Sequence, residues 1–325
     1  MSASTELERI ALLRALLSTS DARVTHGIGD DAAVLRAPDG PLVWTVDAQV
    51  EGTHFDRRWL SLEDVGWRSF MAAASDLAAM GARPLAALSA LTLPSAISDA
   101  ELEELARGQR DAAARVGAPV VGGNLARGRE LAITTTLLGV AARPVTRAGA
   151  RPGDALFLTG PVGLAAAGMR MLRGDGEEDP TCVAAWRRPS AHTVLSDVIA
   201  AEASAAIDIS DGLARDASHL AEASGVRVTF DAEALRALGG PALSRGARAI
   251  GAEALALALG GGEDYVVLFA AAAGAGAAFT RVGRVEPCAA GEARVWVEHA
   301  DGRVDREVVR GFDHFAGGGP DAAGD

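Results

Sequence analysis

The order of strand and helix patterns limits the folds open to this chain, and a Pro-Gly pair within residues 150–154 divides that order into two groups. Before this segment the patterns run ββαβαββ, which is typical of an α+β layer with helices on one face of a sheet. After it, strand and helix patterns form a second, α/β unit. We therefore predict two domains, residues 1–148 and 149–316, followed by a disordered tail at 317–325.

Local signals give the elements of each group. In the first, "AAVLRA" and "PLVWTVDAQV" are predicted to be strands joined by a turn at residues 38–40. Ser61 begins a predicted helix that runs to Met80, and Ser98 begins another that ends near Gly117. Three more strands are predicted from "PLAALSALTLP", "APVVGGN" and "ELAITTTLLGVA". The second group has predicted helices over residues 161–173 and 211–224, and predicted strands at "ALFLTG", "AAIDIS", "VRVTF", "DYVVLF" and "ARVWVEHA".

The composition excludes several classes of function. The 325 residues carry a formal net charge of −12, which disfavours nonspecific binding to nucleic acid and docking on anionic membranes. The chain has no lysine, so lysine Schiff-base chemistry and a P-loop are both excluded. Two cysteines without a CxxC pattern, and an N-terminus unlike a signal peptide, predict a soluble cytoplasmic protein.

Aspartates stand at the ends of predicted elements in four places, which are Asp30 with Asp31, Asp47, Asp76, and Asp208 with Asp211. Each has a purely structural alternative. Asp30 or Asp31 could be a turn residue, and Asp47 a surface carboxylate at a strand end. Asp211 could be a helix N-cap, as could its neighbour Ser210.

Asp76 is harder to explain as a structural residue. It lies near the end of its predicted helix, where the helix dipole disfavours an anion, and its neighbours are mostly alanines. Burying its charge without a partner would cost on the order of several kcal/mol. A nearby arginine or a metal ion could offset this cost.

Aspartates without histidine or cysteine partners suit a hard cation such as Mg²⁺, which prefers oxygen ligands and often bridges to phosphates. Three glycine-rich turns, at residues 122–124, 159–163 and 260–264, could bring backbone N–H groups close to a phosphate. Together these features predict a phosphoryl-transfer enzyme outside the P-loop class.

Several motifs in order along the chain resemble those of one family: "GIGDDAAVL", "VDAQVEGTHF", "AASDLAAMGARP", "VGGN", "TRAGARPGD", "AIDISDGLARDASHLA", "GGEDY" and "GFDHF". The chain resembles the thiamine-monophosphate kinases of the AIR-synthetase-like (PurM-like) superfamily from about residue 27 to 316. The resemblance implies a two-domain PurM-like fold and direct in-line transfer of the ATP γ-phosphoryl group to thiamine monophosphate, with several Mg²⁺ ions. It also implies a homodimer that pairs its N-terminal sheets, with both substrates in a cleft between the domains.

The same resemblance assigns residues by position. The implied metal ligands are Asp30, Thr45, Val46, Asp47, Asp76, Asn124, Asp208 and Asp211, with Val46 able to offer only its backbone carbonyl. Positions that match nucleotide contacts are Gly123, Asn124, Arg147 and Ser210. Positions that match contacts to thiamine phosphate are His54, Glu263 and Phe312. Since the acceptor is itself a phosphate, no strong general base is needed, and we assign no residue as a certain catalytic base.

Asn124 departs from the family pattern, which has Gly-Gly-Asp where this chain has Gly-Gly-Asn. The amide keeps an oxygen ligand but loses a charge, and one charge pair at roughly 4 Å and an effective dielectric of 20 is worth about 4 kcal/mol before solvation. Two alternatives therefore stay open. One is a catalytically weak paralogue that binds nucleotide or thiamine phosphate, and the other is a different PurM-like ATP-dependent enzyme.

Overall fold

The computed structural model describes residues 5–36, 38–276, 278–289 and 291–306. Its helices are α1 (Glu6–Leu17), α2 (Leu62–Ala79), α3 (Asp99–Val116), α4 (Leu164–Leu172), α5 (Pro180–Arg187), α6 (Ser196–Glu202), α7 (Leu213–Ser224), α8 (Ala232–Ala249) and α9 (Ala254–Gly260). Its strands are β1 (Val24–His26), β2 (Val34–Leu35), β3 (Leu42–Val50), β4 (Arg83–Pro94), β5 (Val120–Gly128), β6 (Ala132–Val140), β7 (Ala155–Leu158), β8 (Ala203–Asp208), β9 (Val226–Asp231), β10 (Val267–Ala271), β11 (Thr280–Pro287), β12 (Val295–Glu298) and β13 (Val304–Asp305).

A four-stranded sheet organises the first half, in the order β3-β6-β4-β5. Strands β4 and β5 run parallel and the other neighbours run antiparallel. Helices α2 and α3 pack on one face of this sheet and share a hydrophobic core with it. Their starts agree with the prediction, since Ser61 caps α2 and Ser98 forms a reciprocal capping box at the start of α3.

The opposite face of β3 carries large apolar side chains that the chain itself leaves exposed. Side chains alternate between the two faces of a strand, so Leu42, Trp44 and Val46 share one face, and Trp44 is 70% exposed. Val43 on the other face is buried beneath the helices. One side of the first sheet is therefore covered and the other is apolar and open.

The two strands predicted on either side of residues 38–40 are present as β2 and β3, but they do not pair with each other. Strand β2 pairs with the three-residue strand β1 in a separate two-stranded sheet, and β3 pairs with β6. Strand β1 was not predicted, because "VTH" is too short and too polar to show an alternating pattern. The segment 27–33 is therefore the connection within a small ribbon beside the main sheet.

A seven-stranded sheet organises the second half, in the order β13-β12-β9-β11-β7-β10-β8. The predicted helices near 161–173 and 211–224 are present as α4 and α7. Helices α5, α6, α8 and α9 and strand β11 were not predicted. Gly240 has a φ of +59° and precedes Pro241, so it kinks α8 and interrupts its helical pattern. The division at residue 148 falls in the connection between the two sheets, and the domain bounds stay a prediction.

Helix α2 lies between the two halves and so positions the candidate site. It approaches α3 closely at two glycines, since a Cβ on Gly66 would stand 2.1 Å from the Leu105 carbonyl oxygen, and one on Gly108 would stand 1.9 Å from that of Glu63. Its other faces contact β8, β10, α5 and α6 of the second half. Among the described residues, no helix is both long and apolar enough to cross a bilayer.

Candidate active site

Three of the predicted carboxylates lie where β3, α2 and β8 meet. The Thr45 hydroxyl on β3 donates to Asp76 Oδ2 near the end of α2. The neighbouring Ser75 hydroxyl donates to Asp208 Oδ2, at 2.8 Å, at the end of β8. Asp47 lies on the same face of β3 as Thr45, because the two are separated by one residue. Residues that are far apart in the sequence are thus brought together by the packing of α2 between the two sheets.

These carboxylates lie in an environment that disfavours their charge. Burial raises the pKa of Asp47 to about 6, against a hydrogen bond that Gln49 donates to Asp47 Oδ1. Burial also raises the pKa of Asp76, and burial and the charge of Asp76 raise that of Asp208. The Arg147 guanidinium opposes both of these last shifts, since its positive charge favours the ionised carboxylates. A cation among them would favour the ionised forms more strongly.

The loop at residues 209–212 is held by a carboxylate that the sequence did not point to. Asp216 Oδ2 accepts backbone N–H groups from Ser210, Asp211 and Gly212, at 3.0, 3.1 and 3.2 Å. The loop also joins the "GGEDY" segment, since the N–H of Glu263 donates to the Ser210 carbonyl at 2.8 Å. In the sequence, Asp216 could be recognised only as a carboxylate in the first turn of a predicted helix. Its three backbone partners are set by the fold.

One glycine-rich turn that was predicted to bind an anion has its amides used within the protein. At the start of α4, the N–H groups of Gly163 and Ala165 donate to Asp264, at 2.8 and 3.4 Å. Burial raises the pKa of Asp264 to about 7, against these two hydrogen bonds. Within the turn at 159–163, the Gly163 amide is therefore occupied by a side chain of the chain itself, and the Thr159 amide by the Val267 carbonyl.

Glu263 is fixed by partners from both halves of the chain. Its Oε1 forms an ion pair with Arg68 Nη2 of α2, at 2.5 Å, and its Oε2 accepts the indole N–H of Trp186, at 2.6 Å. Its backbone φ is +59°, a conformation that residues other than glycine rarely adopt. Such local strain persists where the surrounding structure enforces it, as in functional sites.

Other predicted residues lie on further loops and strands of the first half. Asp30 is exposed and accepts the N–H of Asp31 at 2.8 Å. His54 Nδ1 accepts the Val50 N–H at 3.1 Å. Asn124 is exposed on β5. Gly123 is required by the sheet itself, because a Cβ there would stand 1.8 Å from the Ser89 carbonyl oxygen.

Phe312 lies outside the described residues. The Asp211 carboxylate, which the sequence marked as a possible N-cap, pairs with Arg215 at 3.5 Å. Gly212 is the residue before α7 that takes the N-cap position, and no side chain caps it. The N-cap alternative for Asp211 and Ser210 is therefore wrong, while their proposed roles as ligands stay predictions.

The donor set fits a hard cation by its chemistry. Asp47, Asp76 and Asp208 offer carboxylate oxygens, and burial penalises their charge in the absence of a cation. Within the described ranges, no three His, Cys, Asp or Glu side chains come together closely enough to hold a metal ion by themselves. Mg²⁺ commonly takes one or two carboxylates and completes its shell with water and substrate phosphates.

The chain is similar to known proteins over most of its length. The family models for AIR synthase related proteins match the chain, with the N-terminal domain over residues 29–141 and the C-terminal domain over residues 151–295. A thiamine-monophosphate kinase from Mycobacterium tuberculosis is 36% identical over 286 residues, which cover 85% of this chain and 83% of the relative. The chain belongs to the thiamine-monophosphate kinase family.

A solved structure of this family, the AaThiL protein complexed with AMPPCP and TMP, superposes with a TM-score of 0.77 at 33% identity, over 95% of this chain and 97% of that one. The hydrogenase maturation protein HypE in complex with ATP also has a TM-score of 0.77, over 97% of both chains, but at 18% identity it shows the shared fold alone. The predicted thiamine-monophosphate kinase family and the two-domain α+β, PurM-like fold class are confirmed.

Proposed function

We propose that this protein catalyses the ATP-dependent phosphorylation of thiamine monophosphate to thiamine diphosphate, with Mg²⁺. The observation that carries the proposal is the match over 95% of the chain to a relative solved with an ATP analogue and TMP. The half-buried Asp47 and Asp76 and the buried Asp208, where α2 meets both sheets, support it, because in-line phosphoryl transfer depends on positioning and charge neutralisation rather than on a covalent nucleophile.

Mg²⁺ bound to these oxygens would neutralise phosphate charge and bridge the nucleotide phosphates to the protein. The proposed metal ligands remain Asp30, Thr45, Val46, Asp47, Asp76, Asn124, Asp208 and Asp211. Thr45 donates its proton to Asp76, so its hydroxyl oxygen keeps lone pairs for a cation. The side chain of Val46 lies on the open face of β3, so this residue could offer only its carbonyl oxygen.

The other proposed roles concern binding. Gly123, Asn124, Arg147 and Ser210 are proposed to contact the nucleotide, and His54, Glu263 and Phe312 the thiamine phosphate. His54 Nδ1 accepts a backbone N–H, which leaves Nε2 as the nitrogen able to meet a substrate. Because the acceptor oxygen belongs to a phosphate that is already ionised, the mechanism needs these residues to orient the substrate and exclude water, with no proton removed by a side chain.

We also propose that the protein forms a homodimer through the open face of the first sheet. Leu42, Trp44 and Val46 form an exposed apolar stripe on β3, and Leu88 of β4 adds to the same face. Monomeric proteins rarely leave such contiguous apolar surface exposed. A second copy is the occupant that fits, since the family resemblance implies paired N-terminal sheets. Sedimentation of the wild type and of Trp44→Glu would test this, with the variant expected to dissociate.

Strand order gives this dimer a functional consequence. Asp47 and Asn124 lie on β3 and β5, the two edges of the sheet, with β6 and β4 between them. Three strand spacings separate them by roughly 14 Å along the sheet, too far for two short side chains to share an ion. If both residues contribute to one site, a second copy of the chain must therefore supply one of them.

Subunit mixing tests this arrangement directly. Asp47→Ala and Asn124→Arg homodimers should both be inactive. A mixed dimer of the two variants would hold one site with both defects and one intact site, so mixing should restore activity if each site is shared between subunits. If mixing restores nothing while mixed dimers are shown to form, each site lies within one subunit.

The decisive experiment for the function itself is a turnover assay with thiamine monophosphate, ATP and Mg²⁺, with thiamine diphosphate measured as product. Omission of each component in turn is the control. Product formation would support the kinase proposal. Tight binding of thiamine monophosphate or ATP without turnover would instead support a weak paralogue. A cytoplasmic location stays a prediction.

A further inference from the structure

Arg68 is the most deeply buried cationic side chain that the proposed mechanism has not used. It lies on α2 and is 1% exposed. Its Nη1 donates to the carbonyl oxygen of Trp186, and its Nη2 pairs with Glu263 at 2.5 Å. A guanidinium is removed from water at a large cost, and here an ion pair and a hydrogen bond to the backbone offset that cost.

The partners of Arg68 come from the second half of the chain, whereas Arg68 itself belongs to the first. Trp186 lies near the end of α5, is 2% exposed, and packs in the core of the first half. The guanidinium lies 5.0 Å from the Trp186 ring centroid and 5.8 Å from that of Tyr265. The contact is therefore a buried connection between the halves, built around one carboxylate.

Both oxygens of the Glu263 carboxylate are used, one by Arg68 and the other by the Trp186 indole. An ion pair on one oxygen and a hydrogen bond on the other restrict rotation of the carboxylate, and a hydrogen bond to a charged group is stronger than a neutral one. The side chain of Glu263 is still 28% exposed. Since a carboxylate has about four acceptor positions, some remain for a ligand on the open side.

The backbone of the same segment is also fixed. Glu263 and Tyr265 both have positive φ values, of 59° and 53°. Their N–H groups donate to the carbonyl oxygens of Ser210 and Ile209, both at 2.8 Å. Strain of this kind at two residues that flank Asp264 is costly, so the fold enforces one position for Glu263.

We propose that Arg68 and Trp186 are positioning residues that hold the Glu263 carboxylate in one orientation toward the positively charged ring of thiamine monophosphate. The proposal rests on the proposed function and goes beyond it, because it assigns specificity for a positively charged ring to a carboxylate that is fixed before the substrate binds. A preorganised carboxylate attracts this cationic ring without a further loss of side-chain entropy on binding. ATP carries no such cation, so its binding should not depend on this pair.

The test compares four variants in steady-state kinetics with each substrate varied, and in calorimetric binding of thiamine monophosphate in the presence of Mg²⁺. Arg68→Met removes the ion pair, and Arg68→Lys restores a charge without the planar fork. Trp186→Phe keeps an aromatic ring and removes the N–H. Arg188→Met is the matched control, because Arg188 also joins the halves, through ion pairs to Glu63 and Asp64, but is 37% exposed.

We expect Arg68→Met to raise KM and Kd for thiamine monophosphate about 10- to 100-fold, as for a lost hydrogen bond to a charged group, and to change KM for ATP less than about threefold. Trp186→Phe should raise the same two constants about 3- to 10-fold. Arg68→Lys should recover part of the loss, and Arg188→Met should resemble the wild type. If Arg68→Met does not fold, the test uses Trp186→Phe and Arg188→Met. Only Trp186→Phe should then raise KM for thiamine monophosphate more than KM for ATP.

Equal changes in KM for both substrates, or equal effects of Trp186→Phe and Arg188→Met, would overturn the positioning role and show a purely structural connection. An active wild type whose variants all keep their affinity for thiamine monophosphate would overturn this inference and leave the proposed function standing. A wild type that neither binds nor phosphorylates thiamine monophosphate would overturn the proposed function and this inference with it.

Discussion

Asp264→Asn should remove the loss of folding stability that the wild type shows as pH rises from about 4 to 7. Asp264 is buried between α4 and the 260–264 turn, with Glu263 and Asp216 as the charged neighbours that further raise its pKa. Its pKa is 3.8 in the ordinary case and about 7 in the fold. Between these values the folded state binds one proton more than the unfolded state, so the contribution of Asp264 to stability falls as pH rises from about 4 to 7.

The magnitude follows from that pKa difference. Each pKa unit corresponds to about 1.36 kcal/mol, so raising the pKa from 3.8 to about 7 gives an upper limit of about 4 kcal/mol. Asparagine resembles the neutral acid, since its amide oxygen can accept the N–H of Gly163 while one polar hydrogen stays buried. The variant should therefore match the wild type within about 1 kcal/mol only below about pH 4, and its advantage over the wild type should grow by about 1.4 kcal/mol per pH unit as pH rises to 7.

Urea unfolding of both proteins at pH 5, 6, 7 and 8 measures this difference directly. The matched control is Asp231→Asn, which removes an exposed carboxylate that also accepts two backbone N–H groups at a helix start, at 2.9 and 3.0 Å. A constant gap between Asp264→Asn and the wild type across the whole pH range would refute the argument, because it would mean that Asp264 does not change its ionisation on folding.

Four further outcomes are expected. Asp47→Ala should abolish turnover without lowering the thermal midpoint, because it removes a carboxylate whose charge burial disfavours, and wild-type turnover at saturating Mg²⁺ would reject its role as a ligand. Asn124→Asp should lower the Mg²⁺ concentration for half-maximal rate at fixed free ATP, and an unchanged midpoint would show that residue 124 binds no metal. Phe312→Ala should raise KM for thiamine monophosphate far more than KM for ATP, whereas equal effects would indicate a folding role. Gly108→Ala should destabilise the fold by about 1–3 kcal/mol or more in urea unfolding, because its Cβ would stand 1.9 Å from the Glu63 carbonyl oxygen and must push α2 and α3 apart.

Local chemistry made much of the chain predictable. Ser98 caps α3 and Gly117 ends it in a left-handed conformation, because capping depends on residues only a few positions apart. The argument about Asp76 was also sound, since burial raises its pKa and Thr45 and Arg147 favour its charged form. These features follow from composition, spacing and the helix dipole, all of which can be read without knowing the fold.

Pairing between distant segments was not predictable in the same way. The strands on either side of residues 38–40 were predicted, but not that β2 pairs with β1 and β3 with β6, because the choice of partner depends on the whole sheet rather than on the turn between two strands. The turn at 159–163 looked suited to a phosphate, and only the packing of the 260–264 turn against α4 shows that Asp264 takes its amides.

The sequence by itself determined the family, the two groups of elements and the residue types of the candidate site, because motifs, caps and periodicity are properties of short segments. Only the tertiary structure decided which of these residues meet. In the sequence, Arg68 is one basic residue in a mostly apolar helix, with no sign of its partners. The fold places Trp186 and Glu263 beside it. The physical reason is that burial and charge pairing depend on contacts across more than a hundred residues of chain, and such contacts are set by the packing of α2 against both halves at once.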